Sequence, residues 1–117
     1  MERRFDLEDR TFRFAKQVRQ LVKELPHNMG NAEDGRQLIR SSGSVGANYI
    51  EANEAVSKKD FIFRIKLCRK EAKESCYWLR LLDLEGAGHL EGKRESLSKE
   101  AQELMNIFGA IIRNTSC

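Results

Sequence analysis

The chain has 117 residues, a formal net charge of +3, 40% hydrophobic residues and 33% charged ones. That length suits one domain, residues 1–117, with a core that needs no disulfide or metal. The balance excludes a disordered tail and a membrane-embedded protein. The longest apolar run, Ile107 to Ile112, is far too short for a bilayer. The opening Met1-Glu2-Arg3-Arg4 lacks the apolar run of a signal peptide. A cytoplasmic location without a membrane partner is therefore expected. One proline, Pro26, and two threonines, Thr11 and Thr115, are too few for the turns and strands of a sheet protein.

Helix 1 is expected over 7–25. Leu7, Thr11, Phe14, Val18, Leu21 and Leu25 recur at spacings of 4 and 3, which is a heptad seam, and Pro26 stops it. His27 to Gly30 reads as loop. Helix 2 is expected over 32–55, with Asn31 as its cap and Asp34 three residues on. Its seam is Leu38, Ser42, Val45, Tyr49, Ala52 and Val56. The stretch Ser41-Ser42-Gly43-Ser44-Val45-Gly46-Ala47 forms helix poorly, yet the seam crosses it in phase, and small residues there would admit a close partner helix. Helix 3 is expected over 58–85, opened by Ser57 and Asp60 and closed by Gly86 and Gly88. Phe61, Ile65, Cys68, Ala72, Ser75, Leu79 and Leu82 form its seam. Helix 4 is expected over 92–114, with Leu90, Leu97, Ala101, Leu104, Phe108 and Ile111 in heptad phase, widened by Met105 and Ile112. Four seams joined by short links predict an all-α, antiparallel up-down-up-down four-helix bundle. Its core should hold Phe14, Val18, Leu21, Leu38, Val45, Tyr49, Phe61, Ile65, Cys68, Leu79, Leu104, Phe108 and Ile111.

No catalytic constellation emerges. The three cysteines, 68, 76 and 117, are odd in number and form no CxxC, so neither a disulfide framework nor a zinc site is expected. Cys68 reads as a packing residue. His27 and His89 fall in loops without a partner carboxylate or nucleophile. Glu71 and Glu74 lack the histidine of a di-iron helix pair. Gly43 and Gly46 lack the spacing of a phosphate loop, which leaves close helix packing as their role. No cofactor and no metal are expected, and the protein reads as a non-enzyme.

Charge is segregated along the chain. Arg10, Arg13, Lys16, Arg19 and Lys23 have no acid among them, and the run from Lys58 to Lys73 is also basic. Six acids crowd the stretch from Asp83 to Glu103. Cations gathered on one surface can bind phosphate. The candidate nucleic-acid surface is therefore Arg10, Arg13, Lys16, Arg19 and Lys23 on helix 1 with Lys58, Lys59, Lys66, Arg69 and Lys73 on helix 3. On helix 3, Phe63, Leu67, Trp78 and Leu81 point away from the seam, with Lys70 and Glu74 between them. An apolar stripe left in water marks an interaction surface, so these six residues are the candidate oligomer interface, Lys70 and Glu74 requiring partners across it.

The segments Arg40-Ser41-Ser42-Gly43-Ser44-Val45-Gly46-Ala47-Asn48-Tyr49, Ser57-Lys58-Lys59-Asp60-Phe61-Ile62, Lys70-Glu71-Ala72 and Tyr77-Trp78-Leu79-Arg80-Leu81-Leu82 carry a resemblance. They resemble the bacterial 23S rRNA intervening-sequence proteins, also called S23 ribosomal proteins. The likeness is dense from residue 38 to 82. It implies a small cytoplasmic bundle, commonly a homopentamer, with no known enzymatic activity. It also implies a relative among retroelement accessory proteins that binds nucleic acid and a reverse transcriptase. The expected partners are thus a second copy of the chain, RNA and an unidentified protein. The alternative to a nucleic-acid-binding oligomer is a scaffold that docks another protein without touching nucleic acid.

Overall fold

A computed structural model describes residues 2–116, with side chains described over 7–115. The described residues form four long helices, α1 (Glu2–Glu24), α2 (Met29–Asn53), α3 (Lys58–Leu81) and α4 (Glu91–Ser116), with a short 3-10 turn at Gly88–Leu90. No strand occurs among them. Contacts between neighbouring helices run in opposite chain directions. Val22 meets Gly35 and Thr11 meets Gly46 between α1 and α2. Asn31 meets Asp83 and Ser41 meets Ser75 on the α2–α3 side. Arg94 meets Leu82 and Cys76 meets Ser98 between α3 and α4. Glu24 meets Lys93 and Arg10 meets Glu100 between α1 and α4. Each increase in residue number on one helix is a decrease on the next, so the bundle is antiparallel throughout, about 48 Å long.

The seams form one core. Leu7, Phe14, Val18, Leu21, Leu38, Val45, Tyr49, Ile65, Cys68, Leu79, Leu104 and Phe108 are buried, and the Tyr49 and Phe108 rings lie 6.2 Å apart at 45°. Phe61 and Ile111, expected in the core, are only partly buried against it. Val56, expected in the α2 seam, is 92% exposed, because α2 has already ended at Asn53.

The serine- and glycine-rich stretch of α2 is unbroken helix. A β-carbon on Gly46 would stand 3.0 Å from Thr11 Oγ1, and one on Gly35 would stand 3.2 Å from Val22. These positions are small because α1 lies against them. The buried hydroxyls also have partners: Ser41 and Ser75 share a hydrogen bond of 2.9 Å, and Ser75 also donates to the Glu71 carbonyl.

α1 begins at Glu2 rather than 7 and α2 ends at Asn53 rather than 55, and two further helix ends are reset by side-chain contacts. The α2 cap is Asn28, whose Oδ1 accepts from the Asn31 amide at 2.8 Å. Asn31, expected as the cap, lies inside the helix and is buried. Its Nδ2 donates to the Pro26 and Asp83 carbonyls at 3.0 and 2.9 Å, and its Oδ1 accepts from the Asp83 amide at 2.8 Å. That clamp also explains the second difference. α3 stops at Leu81, short of the expected 85, because Asp83 is bound to Asn31 and the Leu79 and Leu82 carbonyls accept from Arg94. Gly86, at φ +81°, then turns the chain, and Leu82, Leu84, Ala87 and Leu90 close the end of the core. The cap at Ser57 is as expected, with Oγ accepting from the Asp60 amide at 3.0 Å.

Asn31 joins two loops through three hydrogen bonds. Asn31→Ala leaves their backbone groups without those bonds, and should lower stability by about 2–4 kcal/mol. Urea unfolding should show a lower midpoint with an unchanged slope.

Candidate nucleic-acid interface

Two of the five helix 1 cations, Arg10 and Arg13, are paired with acids. Arg10 is half-buried, and its guanidinium grips Glu100 through Nε at 3.0 Å and Nη2 at 2.8 Å, with Glu103 at 3.0 Å. Hydrogen bonding to Glu100, opposed by desolvation, holds its proton still more tightly than usual. Arg13 pairs with Asp9 at 2.9 Å. Arg19 donates to the Ala15 carbonyl, and the Lys16 ammonium sits 6.0 Å from the Phe12 ring centroid. The run from Arg10 to Lys23 is acid-free in sequence but not in space, since α4 brings Glu100 and Glu103 to Arg10. Of the five, Lys16, Arg19 and Lys23 are exposed with no carboxylate partner among the described residues.

Helix α3 is different. Lys58, Lys59, Lys66, Arg69 and Lys73 are all exposed, and none has a carboxylate partner among the described residues. Projected at 100° per residue, Lys59, Lys66, Arg69 and Lys73 spread over the outer and α4-facing side. Cys76, on the same flank, reaches the Ser98 carbonyl on α4. The acids of α3 lie elsewhere. Glu71 and Glu74 meet Arg40 of α2 at 3.5 and 3.0 Å, and Asp60 meets Arg64 at 3.9 Å. The outer side of α3 is thus divided lengthwise, with a basic strip toward α4 and an apolar and acidic edge toward α2.

The stripe read from the sequence as an oligomer interface lies along that second edge, but its members are not equivalent. Trp78 is half-buried against the core, and Leu67 is half-buried. Phe63 and Leu81 stand clear, at 54% and 46% exposure. Lys70 and Glu74 do not depend on partners from another subunit: they pair with each other at 3.8 Å, and Glu74 also holds Arg40. Sequence reading passed over Tyr77, which is 55% exposed on the midline of the outer face and set edge-on to Trp78 at 5.1 Å. The signal for it was present. Lys59, Phe63, Lys66, Lys70, Lys73 and Tyr77 repeat the 4-3-4-3-4 spacing of the buried seam on the opposite side of the helix.

Other candidate chemistry finds no support. Burial pushes the Cys68 thiol up to about 12 and raises Cys76 as well, so neither offers a reactive thiolate near neutrality. Cys117 lies outside the described residues. His27 and His89 are exposed. Among the described residues, no three His, Cys, Asp or Glu side chains are grouped to hold a metal, and no helix is long and apolar enough to cross a membrane. An open groove of about 630 Å³ runs between α1 and α4, but Glu95, Glu100 and Glu103 in its lining offset Arg10, Arg13 and Lys99.

The family model described as 23S rRNA-intervening sequence protein matches residues 3–110. The chain belongs to that family. The crystal structure of a protein of unknown function from the S23 ribosomal protein family of Bacteroides thetaiotaomicron is 30% identical to this intervening-sequence protein. The two superpose with a TM-score of 0.77 over 94% of this chain and 97% of the other. No match was found among curated proteins. Neither description names a reaction.

Arg10 therefore serves the α1–α4 contact. Arg10→Ala should lower stability by about 1.5–3 kcal/mol, the range for hydrogen bonds to charged groups. It should leave any affinity for nucleic acid unchanged, as paired thermal unfolding and RNA titration would show.

Proposed function

We propose that this protein is a non-enzymatic homo-oligomeric bundle that holds RNA or another nucleic acid by phosphate contact through α3. One observation carries the reading: Lys58, Lys59, Lys66, Arg69 and Lys73 are exposed together on one helix, without carboxylate partners among the described residues. Ammonium groups on flexible stems meet phosphates as point charges and read no sequence. A net charge of +3 per chain makes each site weak, and an oligomer multiplies weak sites through avidity. Lys16, Arg19 and Lys23 of α1 add three exposed cations. Arg10 is held within the chain by Glu100 and Glu103, and the exposed Arg13–Asp9 pair is weak.

The subunit contact in this proposal is the α2-side edge of α3, with Leu81, Trp78 and Leu67 at its centre and the Lys70–Glu74–Arg40 cluster beside them. A pentamer is the form that the family resemblance implies. A scaffold that docks a partner protein would use the same apolar edge, and the two readings separate on nucleic-acid binding.

In a titration with structured RNA, binding should weaken steeply with salt. Lys66→Ala and Lys73→Ala should each reduce the log–log salt slope by about 0.7–0.9. An absence of binding at low salt, or binding indifferent to salt, would favour the scaffold.

Light scattering should find an oligomer at micromolar concentration. Leu81→Glu places a charge on the exposed edge without opening the core, and should shift the mass toward the monomer with helix content unchanged. A monomeric wild type, or an assembly indifferent to that substitution, refutes this contact.

A further inference from the structure

We infer that the nucleic acid held by α3 is single-stranded, with its bases stacking on Phe63 and Tyr77 while its phosphates meet Lys66 and Lys73 between those rings. The inference rests on the phosphate-binding reading above and adds the class of ligand. It begins from the outward-facing seam Lys59, Phe63, Lys66, Lys70, Lys73 and Tyr77. All six side chains are exposed, and the two rings bracket three lysines over roughly 21 Å of helix at 1.5 Å per residue. No acid interrupts the seam. Lys70 has a neighbour in Glu74 at 3.8 Å, but its side chain is 62% exposed, where such a pair is weak.

Phe63 is not a stray apolar residue. It lines an open depression of about 520 Å³ with Ile62, Lys58, Lys59 and Lys66. One aromatic ring and one aliphatic side chain sit there among three ammonium groups. The Arg64 guanidinium lies 5.9 Å from the Phe63 ring centroid, with its charge partly offset by Asp60 at 3.9 Å. At the far end, Tyr77 is braced edge-on by Trp78, so its ring is held rather than swept through solvent.

Lysines alone would bind duplex and single strand alike, because both display phosphates. Exposed rings break that equivalence. In a duplex the base faces are already stacked on one another. In a single strand each base offers an open π-face, and stacking on an aromatic side chain tolerates any sequence. Rings spaced among cations therefore favour unpaired nucleic acid. The anionic charge and the π-faces together match this surface better than an acidic peptide, which supplies only the first.

Fluorescence anisotropy with labelled oligouridine, and with a duplex carrying the same number of phosphates, tests this at low salt. The single strand should bind more tightly. Phe63→Leu should weaken it about 5- to 150-fold with the salt slope unchanged, and Tyr77→Leu should act in the same direction. Phe63→Trp should keep the affinity and show indole quenching, which wild type lacks at that position. Equal affinity for duplex and single strand, together with indifference to Phe63→Leu, overturns the stacking and leaves phosphate binding in place. No binding to either nucleic acid overturns both, as does binding only to vesicles of anionic lipid.

Discussion

Inside the contact between α2 and α3, the Ser41 and Ser75 hydroxyls share a hydrogen bond of 2.9 Å. Both are fully buried, and a buried hydroxyl without a partner is costly. Each also lies within reach of a carbonyl of its own helix, Leu38 for Ser41 and Glu71 for Ser75, so the pair favours one register between helices that apolar packing already holds together. Hydrophobic packing by itself tolerates small rotations, whereas a buried polar pair favours one. With Ser75 held inward, Ile65, Cys68, Ala72 and Leu79 face the core with it, and the opposite side of α3 must face water. The lysine and aromatic seam owes its exposure to that inward anchor.

The anchor also sorts the charges. With α2 in this position, Arg40 reaches Glu71 and Glu74, and these acids are drawn to the α2 edge of α3. On the other side of the bundle, Glu100 and Glu103 are taken up by Arg10. Acids are thus consumed at helix–helix contacts, and five exposed cations of α3, Lys58, Lys59, Lys66, Arg69 and Lys73, are left without carboxylate partners among the described residues. Local potential depends on that arrangement far more than on the net charge of the chain.

The division of α3 into a basic strip and an apolar edge lets one helix serve two surfaces. Lys59, Lys66, Arg69 and Lys73 belong to the first, and Leu67, Trp78 and Leu81 to the second. Phe63 stands at their border, in a depression shared with lysines. Small residues on α2 support this economy from behind: Gly35 and Gly46 let Val22 and Thr11 of α1 approach α2 closely, so the bundle closes without help from the outer side of α3.

Periodicity by itself determined the four helices, the antiparallel order and most of the core, because a 3-4 repeat of apolar residues has one stable solution when the links are short. It determined too that Ser57 and Asp60 begin α3, since a cap is a local interaction. Tertiary structure decided the rest. Asn31 looks like a cap in sequence, yet its side chain bonds to Asp83, far along the chain, and that bond ends α3 early. Arg10 reads as one member of an acid-free basic run, yet folding brings Glu100 beside it. Short-range chemistry is written in neighbouring residues. The pairing of distant polar groups is set only when the helices pack, and so the sequence showed which cations the chain carries while the fold chose which of them remain available.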